Sequence, residues 1–306
     1  SEFTVEGGQF TSFAVTQTAI AEHPTIRPHR MAIGFFNLVD GSLKRVHRLE
    51  LDVDGVRTEV PALVGLEQPD LILLNDDDLA YAKIRMDERS WKTAVEHLAK
   101  FEDSLARTIV WGAAWDATRD GEVSPREFIK LVLNNIASET ESTTILTLLR
   151  QMITTGNLYV AEAHRKDALK QIGDGLLALA RSAKPGSDLQ LQLVKFFPQF
   201  AQTDAQLDAL RAMLDGTETL SGLEVDADLR WELLTGLVVG GRAGEAEITA
   251  ELERDNTANG QKAAAGARAA IPTAAAKHTA WELLVESKEL SNALVNQASL
   301  GFGRVH

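Results

Sequence analysis

The chain has 306 residues, 44% of them hydrophobic and 25% charged, with 31 Lys+Arg against 44 Asp+Glu, a net charge of −13 and no cysteine. These are ordinary globular values, and at roughly 100–200 residues per domain the length predicts about two domains. The acidic balance disfavours a phosphate-backbone binder, no apolar run approaches the about 20 residues of a membrane span, and the missing cysteine removes disulfides, thiolate nucleophiles and Cys-ligated metals.

The start, Ser1-Glu2-Phe3, carries no signal-like pattern and reads as a piece cut from a longer chain. Residues 1–87 then read as antiparallel β. They hold only 7 Ala, whereas Val, Ile and Thr supply 19 of the 87 positions. A run from Phe10 to Val15 is followed by one from Met31 to Val39, ending in Asp40-Gly41. The stretch Val46–Val53 alternates, and Asp54-Gly55 joins it to Val56–Val60 in what reads as a hairpin. Leu71–Leu74 and Tyr81–Met86 complete a small sandwich, with Asn75–Asp87 as its last strand pair.

From residue 88 onward 34 Ala appear, and apolar residues recur at helical spacing. Trp91, Val95, Leu98 and Leu105 share roughly one face, and Trp91 is expected to be substantially buried. Ile145, Leu148, Leu149, Met152 and Ile153 repeat the pattern, as do Leu169, Ile172, Leu176 and Leu177, and Leu207, Leu210 and Leu214. Ser124-Pro125-Arg126-Glu127 and Thr203 with Gln206 read as capping boxes, and Gly216 and Gly240 as C-terminal caps. Ten or more helices with short connectors predict a stacked array of helix pairs. The fold class is therefore α+β, mainly α: a small antiparallel β-sandwich over 1–87, then an armadillo/HEAT-like α-helical solenoid over 88–306. With no Gly/Ser/Pro linker between them, the junction should be packed and nearly rigid.

Chemistry is sparse. The histidines are His23, His29, His47, His97, His164, His278 and His306; no two are four apart and none precedes a Glu, so the zinc-binding His-Glu-x-x-His is absent. No Gly-rich phosphate loop and no Gly-x-Ser-x-Gly elbow occurs. Asp116-Ala-Thr-Arg-Asp120-Gly121-Glu-Val-Ser124-Pro-Arg-Glu127 imitates a calcium loop, but Thr at the third position, Pro125 inside it and the want of a second loop favour a capped helix–turn–helix. Asp76-Asp77-Asp78 reads as a solvated turn rather than a cation site. The Ala-rich stretch from Ala263 to Ala276 reads as tight helix packing, and the five Trp as core and interface anchors.

At Leu71-Ile-Leu-Leu-Asn75-Asp-Asp-Asp-Leu-Ala80-Tyr81-Ala-Lys83-Ile84-Arg-Met-Asp87 the chain resembles the gluzincin zinc aminopeptidases of the aminopeptidase N family, where the sandwich hands over to the helical domain. Asn75, Tyr81, Lys83, Ile84, Asp87 and Trp91 match; Ala80 and Ala82 depart from a Gly and a second aromatic. Arg27-Pro28-His29-Arg30-Met31-Ala-Ile-Gly34, Trp115-Asp-Ala-Thr-Arg119-Asp120-Gly121, and Gly244-Glu-Ala-Glu247-Ile248 through Asp255 agree, and the likeness is closest to actinobacterial members. It implies the non-catalytic C-terminal region of a peptide-trimming enzyme that binds zinc elsewhere. The helical domain would cap the active site and limit access to peptide substrates. The partner would be a missing N-terminal catalytic domain, the array would be truncated at its C-terminal end, and the location cytoplasmic. No catalytic, cofactor-binding or metal residue can be carried onto this chain. The alternative is a stand-alone helical-repeat scaffold that binds a peptide or protein.

Overall fold

The computed structural model describes residues 1–286 and 290–304. It divides into two compact units, one over Ser1–Glu139 and one from Thr140 onward, so the change from strand to helix at residue 88 falls inside the first.

The first unit holds β1 (Glu2–Glu6), β2 (Gln9–Thr16), β3 (His29–Val39), β4 (Ser42–Val53), β5 (Arg57–Glu59), β6 (Leu71–Asp76), α1 (Glu88–His97), α2 (Ser104–Arg119) and α3 (Pro125–Asn135). The strands form two antiparallel three-stranded sheets, β1-β2-β5 and β4-β3-β6. Phe10, Phe13 and Val15 of the first sheet meet Met31, Ile33, Phe35, Ile72 and Leu74 of the second in one buried core, which Ile84 and Ala113 of α2 also enter. Both β6 and the middle of β3 are continuously buried, because their second faces lie under helices: β6 packs on α1 and α2, and Phe36 meets Phe101 at 4.8 Å. Double-sided burial explains why Met31–Phe36 and Leu71–Leu74 read as unbroken apolar runs.

Asp40 and Gly41 both have positive φ, 52° and 82°, as a tight β3–β4 hairpin requires. Three expectations for this unit need correction. Asp54-Gly55 does not close a hairpin; it carries the chain from one sheet to the other, where β5 pairs with β2. Tyr81–Met86 is not a strand but an irregular segment held by side chains. Trp91 and Leu105 do not share the inward face of α1, which is Ser90, Ala94 and Val95; Trp91, of intermediate burial, flanks it. The helical run also breaks at Phe101–Asp103, which leaves Leu105 exposed on α2. The packed junction is observed: Ser90 Oγ accepts from Ile72 N at 2.8 Å, and Thr93 Oγ1 donates to Asp70 O at 2.7 Å.

The second unit comprises α4 (Ser142–Thr154), α5 (Glu162–Ser182), α6 (Asp188–Phe196), α7 (Asp204–Asp215), α8 (Ala227–Val239), α9 (Glu245–Arg254), α10 (Ala258–Ala270), α11 (Ala274–Val285) and α12 (Asn292–Phe302). Helices α4, α6, α8, α10 and α12 are successive neighbours; α5 lies on α6, α7 on α8, α9 on α8 and α10, and α11 on α10 and α12. Thr203 and Gln206 form the expected capping box, and Gly216 takes the left-handed cap at φ 75°. Ser124 occupies the N-cap of α3 with Pro125 behind it, but its side chain makes no capping bond, so that box does not form. At the end of α8 the left-handed residue is Gly241 rather than Gly240.

The Ala-rich stretch does pack closely. A Cβ on Gly301 of α12 would sit 1.9 Å from the Gly266 carbonyl oxygen of α10, so α12 needs glycine there, while a Cβ on Gly266 would meet Gln297 O at 3.2 Å. Lys277 closes this corner by donating to Ala269 O (2.8 Å) and Phe302 O (2.9 Å). Burial holds its ammonium below the ordinary lysine value.

Candidate functional site

The most elaborately built surface lies where the sandwich meets α1. Asn75, Asp77 and Asp78 all adopt left-handed backbone, at φ 58°, 68° and 53°. Such strain in residues other than glycine persists only where surrounding bonds over-determine it. Those bonds are present. Buried Asn75 donates to Ala80 O (2.7 Å) and accepts from Ala80 N (2.8 Å), so one side chain pairs with a backbone amide as a strand would. Asp76, 1% exposed, accepts from Arg45 at 3.1 Å; burial pushes its carboxyl up, against the Arg45 charge. Asp77 is held below the ordinary carboxylate range by its hydrogen bond from Arg48 (2.7 Å), with Arg45 adding to it. The triple-Asp turn is thus an arginine-paired turn rather than an open cation site.

Further on, Lys83 donates to Asp120 (2.6 Å), and Arg85 to Asp120 (2.6 Å) and Glu122. Lys83 chiefly, then Arg85, depresses the Asp120 carboxyl. The calcium-like stretch therefore has its two central acids occupied by cations from the 79–87 segment. Asp116 and Asp120 sit within and at the end of α2, where Arg119 lies 3.3 Å from Asp116. Asp87 then caps α1 by accepting from Ser90 N. The positions that carry the family likeness, Asn75, Lys83, Ile84 and Asp87, are thus the bracket, clamp, core plug and cap of a single segment.

Two buried polar nodes gave no signal in the sequence. In the first unit Glu139, 6% exposed, accepts from Arg107 Nε (3.1 Å) and Trp111 Nε1 (2.8 Å). In the second, Glu251 takes both Arg230 Nε and Nη2 at 2.7 Å, and Trp231 Nε1 donates to Asp255 at 2.9 Å. The Glu251 bond raises the Arg230 pKa. These pairs are far apart in sequence, and periodicity cannot reveal them. Beside the second node a cavity of about 580 Å³ is lined by Met213, Leu214, Leu223, Val225, Arg230 and Arg254, among others. Arg254 reaches only to 3.9 Å from Glu251, whose oxygens Arg230 already fills.

Among the described residues no group of three or more His, Asp or Glu comes together as a metal site. His47 lies beside Phe35 (5.6 Å) and His278 beside Glu282 (3.2 Å); His306 lies outside the described residues. Of the tryptophans, Trp111 and Trp231 are buried anchors, whereas Trp281 is half-exposed. Among the described residues no helix is long and apolar enough to cross a membrane.

The model of the ERAP1-like C-terminal domain matches residues 71–306, beginning at β6 and running through the helices. The chain belongs to that family. It is also 47% identical over 302 residues to an aminopeptidase N of Streptomyces lividans, a match that covers 96% of this chain and 35% of the relative. As a member of the ERAP1-like C-terminal domain family the chain spans about a third of that relative's length. The likeness includes the β-strands ahead of residue 71, so it runs through both units.

Proposed function

We propose that this chain is the non-catalytic C-terminal region of a zinc-dependent aminopeptidase that removes N-terminal residues from peptides in the cytoplasm. The observation that carries this reading is the near-complete match to an aminopeptidase N of which the chain makes up only a third. In this reading residues 1–87 are a sandwich that carries a catalytic part upstream. Residues 88–306 are a helical cap that covers the active site and restricts which peptides enter. The apolar, incompletely covered α11 and α12 are where further helices of the same polypeptide pack.

Zinc would activate water for peptide-bond attack in the catalytic part. The described residues here offer no three-ligand set, so none is assigned to the metal and no step is drawn through it. The contribution of this chain is binding and exclusion. The test is the reading frame: it should continue upstream of Ser1 into a His-Glu-x-x-His segment. Deleting residues 88–306 from the whole protein should widen the range of peptide lengths accepted. A frame that opens at Ser1 with no such segment would favour the stand-alone scaffold instead.

A further inference from the structure

Among the described residues three buried side-chain polar atoms lack a hydrogen-bond partner: Gln151 Oε1, Thr155 Oγ1 and Arg165 Nε. All three fall between residues 151 and 165, where α4 gives way to α5. Native interiors leave few such atoms, and each has a cause. Three at one corner point to a shared one.

The corner is irregular in other ways. Thr155–Tyr159 form a π turn, closed by Val160 N donating to Thr155 O at 3.0 Å. Turns of this kind recur at functional sites. Val160 O accepts from Arg165 Nη2 at 3.4 Å, so these two bonds bring fully buried Thr155 and the Arg165 guanidinium together just ahead of α5. At 21 residues α5 is the longest described helix, yet its N-cap is Ala161 and no side chain takes up its first amides. Those amides carry the positive end of the helix dipole. Among the described residues no carboxylate lies within 4.0 Å of the Arg165 guanidinium or the Lys166 ammonium, although Glu162 and Asp167 adjoin them in sequence. Two unpaired cations stand out on a chain of net charge −13.

The unmet groups agree on what they would hold. Arg165 Nε and the first amides of α5 are donors, and the Thr155 hydroxyl donates or accepts. The Gln151 amide presents a donor once it is turned over. Converging donors beside positive charge suit an anion with several acceptor oxygens. We infer that the α4–α5 corner is a binding site for an oxyanion, a phosphate or carboxylate group, held by Arg165 Nε, Thr155 Oγ1 and the amides of Glu162 and Ala163. This does not depend on the aminopeptidase reading and stands or falls separately from it.

The test is calorimetric titration of the whole polypeptide with inorganic phosphate and, separately, with acetate, at fixed ionic strength. One of the two should bind saturably, one ion per chain, with a Kd of about 1 mM or tighter. Saturation by phosphate alone assigns a phosphate group, and saturation by acetate alone a carboxylate. Arg165→Gln and Thr155→Val should each weaken that binding roughly tenfold or more, as loss of a hydrogen bond to a charged group does. Hydrogen exchange in the unmutated protein needs no variant: at ten times the Kd the ion should slow exchange of the Glu162 and Ala163 amides about tenfold. No saturable heat with either ion up to about 50 mM would overturn the site. So would unchanged affinity in both variants, or slowed exchange spread over the chain rather than centred on the start of α5. Thr155→Val more stable than the parent with its ion affinity intact would show that the Thr155 hydroxyl has no part in it, and would also overturn the assignment.

Discussion

Helices α8 and α11 are both predominantly apolar in composition, yet they live in opposite surroundings. Eight of the thirteen residues of α8 are buried, because α6, α7, α9 and α10 enclose it. In α11 only Ala280 is buried; its described neighbours are α10 and α12, and Trp281, Leu283 and Val285 stay 51%, 39% and 59% exposed. A helix this rich in apolar residues needs most of its surface covered by neighbours. The contrast teaches that composition specifies the burial a helix is suited to, and the packing around α8 meets that demand while the packing around α11 does not.

The largest effect should come from the enclosed side. Leu233→Ala on α8, fully buried, should cost about 2–5 kcal/mol through lost contacts and a cavity. Trp281→Ala on α11 should cost less than about 1 kcal/mol despite the larger side chain. Chemical denaturation of the two variants checks the pair; equal costs would break the comparison. Gly301→Val comes next. Its methyl groups must push α12 away from the Gly266 carbonyl, and about 1–3 kcal/mol of destabilisation is expected. Hydrogen exchange should localise the loosening to α10–α12 and spare α8.

The smallest effect is electrostatic and sharpens the contrast between the helical corner and the clamped 75–87 segment. Asp77 and Asp120 are depressed by their arginine and lysine partners, so they contribute stability above the ordinary aspartate value and lose it as pH falls through their folded values. The raised Asp76 acts in the opposite sense, favouring the fold most when protonated. The net expectation is a modest loss below about pH 4. It should be shallower in Asp120→Asn, read by the protection of β6 amides as pH is lowered.

Much of this was legible in the residues. Continuous apolar runs marked β3 and β6, and Thr203 with Gln206 marked the start of α7. What escaped depends on partners distant in sequence. Asp54-Gly55 looks like a hairpin turn because local chemistry cannot say which sheet β5 will join. Tyr81–Met86 alternates like a strand, but Lys83 and Arg85 are held by Asp120 and Glu122 rather than by a neighbouring strand. The Asp116–Glu127 stretch imitates a calcium loop, but Asp120 and Glu122 are paired with Lys83 and Arg85, a pairing visible only once the chain is folded. The Arg107–Glu139–Trp111 and Arg230–Glu251 nodes have no local signature at all. In the candidate site, the likeness located Asn75, Lys83 and Asp87, while the physical role of each needed the geometry.

On the proposed function, this chain serves an aminopeptidase without supplying its chemistry. The most direct measurement is turnover of an aminoacyl chromogenic substrate by purified residues 1–306 with added zinc, beside the same assay on the polypeptide extended upstream. No turnover is expected from the first and chelator-sensitive turnover from the second; chelator-sensitive turnover by residues 1–306 alone would contradict the proposed function.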